Sequence, residues 1–182
     1  MKYITFLILF FSITTSMRSQ SIYDLSFKNI NGDTISMKQF AGKKVLVIVL
    51  PQDPKDSIYD QILQFKKRVK DTIDVIGVSS LEEGFTKSRS GPLKTAYSTI
   101  SITLTEGVNS RKSAGASQSP VLQWLTNSKK NRHFNNDAEA PGAKFFISET
   151  GRLYAVFSYR TSLQSRVIDQ VINSSDLGRS IK

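Results

Sequence analysis

The feature that most constrains this chain is the run Val45-Leu46-Val47-Ile48-Val49-Leu50, closed off by Lys43-Lys44 before it and Pro51 after it. It has no polar residue at alternate positions, so an extended strand built from it has no face to offer water. Rich in β-branched residues and too short for a typical helix, it reads as the central strand of a sheet covered on both faces. The next thirty residues agree. Ile58, Ile62, Phe65 and Val69 recur at helical spacing on one face, and Ile73 to Val78 forms a second buried run. Strand, amphipathic helix and strand at this spacing predict a right-handed βαβ unit.

The flanking segments extend the pattern. Ile22 to Phe27 reads as a short strand, Asn31-Gly32 as a tight turn and Thr34-Ile35 as the returning strand of an N-terminal hairpin. Ser36 caps a brief helical turn through Phe40, closed by Gly42. Downstream, the spacing predicts a helix over Leu93–Thr99, a strand over Ile100–Thr105 and a flexible loop over Gly107–Ser119. A helix opens at Pro120, which suits a first helical position, and carries Val121, Leu122, Trp124 and Leu125. A second polar loop over Asn127–Gly142 contains His133. The hairpin of Lys144–Ser148 and Arg152–Phe157 and a helix over Ser162–Ser174 complete one α/β domain, with a mixed sheet flanked by helices. The 182 residues suit a single domain, with 39% hydrophobic and 22% charged residues.

Residues 1–19 read as a signal peptide. Met1-Lys2 gives a positive start, Tyr3 to Thr15 is apolar but for Thr and Ser, and a small polar segment comes next, with cleavage expected between residues 16 and 20. The run is shorter than the ~20 residues a membrane span needs. The chain is therefore expected to be exported, periplasmic or secreted, with a folded domain over 21–176, a flexible tail over 177–182 and no transmembrane helix after cleavage. Loss of Lys2 and Arg18 lowers the net charge of +10 by two. The remaining basic residues gather at Lys66-Lys67-Arg68 with Lys70, at Lys87/Arg89/Lys94, and at Lys129-Lys130 with Arg132. Such a surplus attracts anionic surfaces or anionic small molecules. No nucleic-acid motif accompanies it.

Several segments, in order, resemble the glutathione peroxidase family, a branch of the thioredoxin fold. Ser21-Ile22-Tyr23-Asp24-Leu25 is similar to the family's opening. Asn31-Gly32-Asp33 and Phe40-Ala41-Gly42-Lys43 resemble its first turn and the residues before its first buried strand. Tyr59, Val75-Ile76-Gly77-Val78, Gly107-Val108-Asn109, Ser119-Pro120-Val121-Leu122-Gln123-Trp124-Leu125 and Lys144-Phe145-Phe146-Ile147 with Gly151 continue the likeness. The resemblance implies a thioredoxin-like fold and, by family alone, a peroxidase answering oxidative stress. Such enzymes use a Cys or selenocysteine at the N-terminus of the helix after the first buried strand, where the helix dipole and free N–H groups favour the thiolate.

This chain has no cysteine. The corresponding loop is Pro51-Gln52-Asp53-Pro54-Lys55-Asp56, and the nucleophile's place falls around Pro54 and Lys55, with Asp56 or Ser57 as the helix cap. The family's supporting Gln falls on Glu82, where a carboxylate would repel a thiolate. Its Trp and Asn fall on Ala140 and Pro141. The resemblance therefore implies a degenerate site (Pro54, Lys55, Glu82, Ala140, Pro141) that cannot run the family's thiol chemistry. No catalytic residue, cofactor or metal ligand is assigned. The expected function is that of a pseudoenzyme, a non-catalytic binding or interaction protein whose partner is another protein or an anionic small molecule. Two alternatives stand beside it: an enzyme of another class using Glu82 and Glu83, with Asp53 or Asp56, around a metal in the old cleft, and a partner subunit of a cysteine-bearing paralogue. His133 reads as a solvated side chain, Trp124 as core, and Ser79-Ser80 lacks the strained turn of a serine hydrolase.

Overall fold

The computed structural model describes residues 20–51, 53, 57–97 and 99–174. The leader, Pro54, Lys55, Asp56 and the tail from residue 175 lie outside the described residues.

β1 (Ser26–Lys28) and β2 (Thr34–Ser36) form an antiparallel hairpin. Asn29 fixes its turn: its Oδ1 accepts the N–H groups of Asn31 and Asp33, both at 2.9 Å. The main sheet holds β3 (Lys44–Val49), β4 (Ile73–Ser80), β5 (Thr103–Val108), β6 (Lys144–Ile147) and β7 (Leu153–Phe157), in the order β5-β4-β3-β6-β7. β3, β4 and β5 run parallel, while β6 is antiparallel to both β3 and β7. The hairpin shields β5 through an Asn29–Thr105 bridge and a bond from Ile30 N–H to Leu104 O.

All six residues of β3 are buried, as a run without alternation demands. Its side chains divide two cores. Val45, Val47 and Val49 pack with Phe27, Trp124, Leu125 and Phe145 on one face. Leu46, Ile48 and Leu50 meet Ile62 and Phe65 of α1 (Ser57–Val69) and Leu93 and Tyr97 of α2 (Ser90–Tyr97) on the other. α3 (Pro120–Thr126) covers the first face, and the Trp124 indole N–H donates to Gln20 O at 2.8 Å. α5 (Arg166–Asn173) joins the second through Ile168. The α/β thioredoxin-like architecture with its N-terminal hairpin is the one the sequence predicts.

Local departures have local causes. The strand expected over Ile22–Phe27 begins instead as a 3₁₀ turn, Ile22–Asp24. Ser21 and Asp24 make a capping box, Ser21 Oγ accepting Tyr23 N–H and Asp24 Oδ2 accepting Ser21 N–H, and only Ser26–Lys28 pairs. α2 starts three residues before the predicted helix, β5 ends three residues after the predicted strand, and α5 opens only at Arg166. The loop expected to be flexible over Gly107–Ser119 is tied down: 3₁₀ structure spans Lys112–Ser117, broken at Gly115, and Gln118 Nε2 donates to Ser110 O at 2.8 Å. Gly107 is the small residue that packing requires, since a β-carbon there would lie 2.6 Å from Phe85 Cδ1, while Gly115 faces open space.

The second polar loop also has an anchor. Asn127 caps α4 (Ser128–Asn131), and the buried Asn131 holds the chain beyond it. Asn131 Nδ2 donates to the carbonyls of Trp124, Leu125 and Phe134, and its Oδ1 accepts the N–H groups of His133 and Phe134. Asn131→Ala leaves several of these backbone groups unpaired. Since each buried unpaired group costs about 1–3 kcal/mol, the variant should lose roughly 2–4 kcal/mol in urea unfolding, whereas Lys129→Ala on the exposed side of α4 should change stability by less than ~0.5 kcal/mol.

Candidate functional site

The parallel strands β3 and β4 end beside the first turn of α1, and this edge positions the candidate site. From the loop after β3, Leu50 and Pro51 are buried and Asp53 is exposed. The segment 140–143 is drawn to the same edge by backbone bonds. Gly142 N–H donates to Val49 O at 2.7 Å, and Val49 N–H to Ala143 O at 3.0 Å. Gly142 has φ +86°, and a β-carbon there would lie 2.9 Å from Ile58 Cδ1 of α1 and 3.4 Å from Tyr159 Cβ. Only glycine suits such a backbone pressed under a helix. Ala140 and Pro141 are half-buried immediately before it.

Glu82 turns elsewhere. Its carboxylate accepts Ser110 N–H at 2.9 and 3.1 Å, Arg111 N–H at 3.3 Å and the hydroxyls of Ser80 and Ser110 at 2.9 and 3.2 Å. It is a brace between the end of β4 and the turn after β5. Burial pushes its pKa up, but the N–H groups of Ser110, Glu82 itself and Arg111 and the Ser80 hydroxyl outweigh that and hold it below the ordinary carboxylate value. Glu83 instead pairs with the Arg111 guanidinium. The two carboxylates thus do not converge, and among the described residues no three His, Cys, Asp or Glu side chains are grouped so as to hold a metal ion. This geometry gives the carboxylate-and-metal alternative no support. Ser80 is buried and spent on Glu82 and Ser110, and His133 is exposed.

Two features escape a reading of the sequence. The first is a groove of about 420 Å³ beside Ala140, lined among others by the polar Asn135, Asp137 and Glu139 and the aromatic Phe157 and Tyr159. Tyr159 is 51% exposed, one of few large apolar side chains so placed. Its partners are scattered over two distant segments, and no spacing in the sequence links them. The second is Lys144, only 2% exposed, whose ammonium donates to Gly142 O at 2.6 Å and Ser158 O at 3.4 Å. Burial lowers its pKa from 10.5 to about 8. Alternation with Phe146 on the same strand face is the available signal for this inward position.

The basic segment at Lys66 also changes meaning. Lys66 is buried and donates to Lys70 O and Ile73 O, closing the end of α1, while Arg68 donates to Leu163 O and pairs with Asp169. These charges serve internal architecture rather than a single open surface.

No protein-family model matches the sequence, and no curated protein sequence matches it. Solved structures do. Trgpx in its apo form is 18% identical with a TM-score of 0.59, covering 86% of this chain and 99% of its own. T. cruzi GPX1 is 12% identical with a TM-score of 0.61, covering 84% and 94%. A thiol:disulfide interchange protein of the thioredoxin family from Chlorobium tepidum is 14% identical with a TM-score of 0.56, covering 81% and 92%. At these identities the likeness establishes the fold.

The geometry implies two titrations. Glu82 has a folded pKa below its unfolded value, so its contribution is full above about pH 4.5 and is lost as pH falls through the folded value. Glu82→Gln should cost about 1–3 kcal/mol near neutrality, and its deficit against wild type should shrink below that pH in chemical unfolding. Lys144 has the opposite sign. Between pH 8 and 10.5 the unfolded chain holds the proton more tightly, so wild-type stability should rise relative to Lys144→Met by up to ~1.4 kcal/mol per pH unit. A pH-independent difference would contradict the assigned burial.

The chain is a protein of the thioredoxin fold, related at low identity to glutathione-peroxidase-like structures, with no cysteine in its sequence.

Proposed function

We propose that this chain is an exported, non-catalytic binding protein whose working face is the altered end of the sheet, at the groove beside Ala140. Export rests on the charged start, apolar run and small polar segment of residues 1–19. One observation carries the binding reading. Where the resemblance places a Trp and an Asn, this chain has Ala140 and Pro141, and an open groove of about 420 Å³ lined by Ala140 lies there, with both polar groups and the aromatic Phe157 and Tyr159 in its lining. Mixed walls of this kind are typical of ligand sites, with apolar area for affinity and a few polar groups for orientation. Glu82, by contrast, is committed to backbone N–H groups and has no capacity left for a substrate.

The reading makes a two-part prediction. Peroxide consumption with thioredoxin or glutathione as reductant should not exceed the buffer rate, and clear turnover would sink it. A small-molecule and peptide screen with protein NMR as its readout should give shifts clustered on Ala140, Glu139 and Tyr159, abolished in Ala140→Trp, which fills the groove. Hits scattered over the surface, or unaffected by Ala140→Trp, would remove the groove from the proposal. Association with a cysteine-bearing paralogue would register as stoichiometric co-purification blocked by the same substitution.

A further inference from the structure

Lys144 opens β6 from inside the protein. It stands opposite Ile48 on β3 and Phe157 on β7, and its ammonium donates to Gly142 O at 2.6 Å and to Ser158 O at 3.4 Å. The two acceptors belong to different segments. Gly142 lies between Ala140 and Ala143, and Ser158 lies beside Tyr159; Ala140, Ala143, Ser158 and Tyr159 all line the groove of the proposed function. One buried cation therefore joins two of the segments that bound that groove. They meet closely, since a β-carbon on Gly142 would lie 3.4 Å from Tyr159 Cβ and 3.5 Å from its Cα. The two bonds are unequal. Gly142 is also fixed by its own N–H to Val49 O. Ser158 and Tyr159 are exposed, and Ser158 O otherwise accepts only within its own turn, from Thr161 N–H at 3.2 Å. Lys144 ties that turn to Gly142.

A donor 3.4 Å from its acceptor is at the limit of a hydrogen bond, and the charge on the donor is what gives the bond strength, since charge-assisted bonds are about twice as strong as neutral ones. A neutral amine would satisfy Gly142 O and leave Ser158 O. The charge is also the part of Lys144 that burial opposes. The titratable groups on the surrounding elements are Lys44 and Tyr154 on β3 and β7, Tyr59 and Asp60 in the first turn of α1, and Asp53, Tyr159 and Arg160 in the adjoining loops. None of these contributes to the shift. We propose that Lys144 is a positioning residue that latches the Ser158–Tyr159 turn to Gly142, holding the Ala140 groove in one shape while the ammonium keeps its proton and letting that turn move away when the proton leaves. As a regulator of binding the latch rests on the function proposed above; as a change of groove shape it is a property of the free protein. The loosening is local, because the neutral amine no longer carries the desolvation cost and the fold as a whole gains.

The test is an NMR titration of the ligand-free full chain, read on carbon-bound hydrogens because backbone N–H groups exchange too fast in alkaline solution. The Lys144 Cε signal reports the proton, and the Ala140 and Ala143 methyls report the groove. For a group titrating at about 8, the charged fraction falls from about nine-tenths at pH 7 to a few per cent at pH 9.5. The methyls should move with the Lys144 signal at one midpoint. Cross-relaxation between Gly142 Hα and Tyr159 Hβ should be largely lost, which a change of charge without movement does not produce. Lys144→Arg, which keeps its charge throughout, should hold the pH 7 pattern at both pH values. A Lys144 midpoint at the ordinary 10.5 would overturn the latch, and so would a midpoint near 8 that leaves the Gly142–Tyr159 cross-relaxation unchanged. Both are read on wild type, so a variant that fails to fold does not affect the decision. A groove ligand found by the screen should bind about threefold more weakly at pH 9.5 than at pH 7, the worth of one modest hydrogen bond, and equally at both in Lys144→Arg. Affinity independent of pH in wild type would overturn the regulation. A screen that finds no ligand removes the binding reading alone, and the titration still decides the latch.

Discussion

The structure depends on β3 having partners on every side. Six consecutive buried residues need both backbone edges paired and both side-chain faces covered. β4 and β6 pair the edges, while α1 and α3 cover the faces. Even the charged first residue is absorbed: Lys44 donates to the carbonyls of Ile172 and Ser174 at the end of α5. The same requirement shapes the candidate site. The last strand residue, Val49, exchanges hydrogen bonds with Gly142 and Ala143, so the segment carrying Ala140 and Pro141 is fixed by backbone pairing. The identities of the side chains at 140 and 141 have no part in that pairing.

Buried charge in this molecule is handled by backbone dipoles more than by opposite charges. Lys44, Lys66 and Lys144 all donate to main-chain carbonyls, and Glu82 accepts main-chain N–H groups. Each such group closes a local end: a helix terminus, a strand end or a loop. An ammonium bound only to carbonyls retains much of its desolvation cost, which is why burial lowers the pKa of Lys144 so far. A positive composition is therefore a poor guide to surface potential here. The segment Lys66–Arg68 looks like a patch in the sequence and is mostly architecture, while Lys130 and Arg132 become a patch only when Arg152 joins them.

The legible parts are those in which local pattern and global burial coincide. The run at Val45–Leu50 dictates a central strand, and the helical spacing from Ile58 to Val69 dictates its cover. Composition misleads at Gly107–Ser119, since Ser and Gly serve equally a flexible loop and a backbone packed tightly enough to bond Gln118 to Ser110. At Ile22–Phe27 the apolar residues suggest a strand, but the Ser21–Asp24 capping pair prevails over them. The candidate site is legible only as a set of substitutions against a resemblance. Neither Glu82 as a brace nor the groove at Tyr159 can be read off, because each depends on partners far away in sequence, at Ser110 and Arg111 in one case and at Asn135–Glu139 in the other.

Such a fold can stand without a thiol for a physical reason. A nucleophile at a helix N-terminus contributes reactivity but little buried area, so neither core of this chain depends on one. Glu82 makes a stabilising arrangement there, because a carboxylate accepts several N–H groups where an amide oxygen accepts fewer. The small side chain of Ala140 leaves space at the surface, where the packing penalty of a core truncation does not apply. Stability and thiol chemistry are thus separable at this edge of the sheet. A chain that keeps β3 and its four neighbours keeps the fold, and the residues at the strand ends are free to take on recognition.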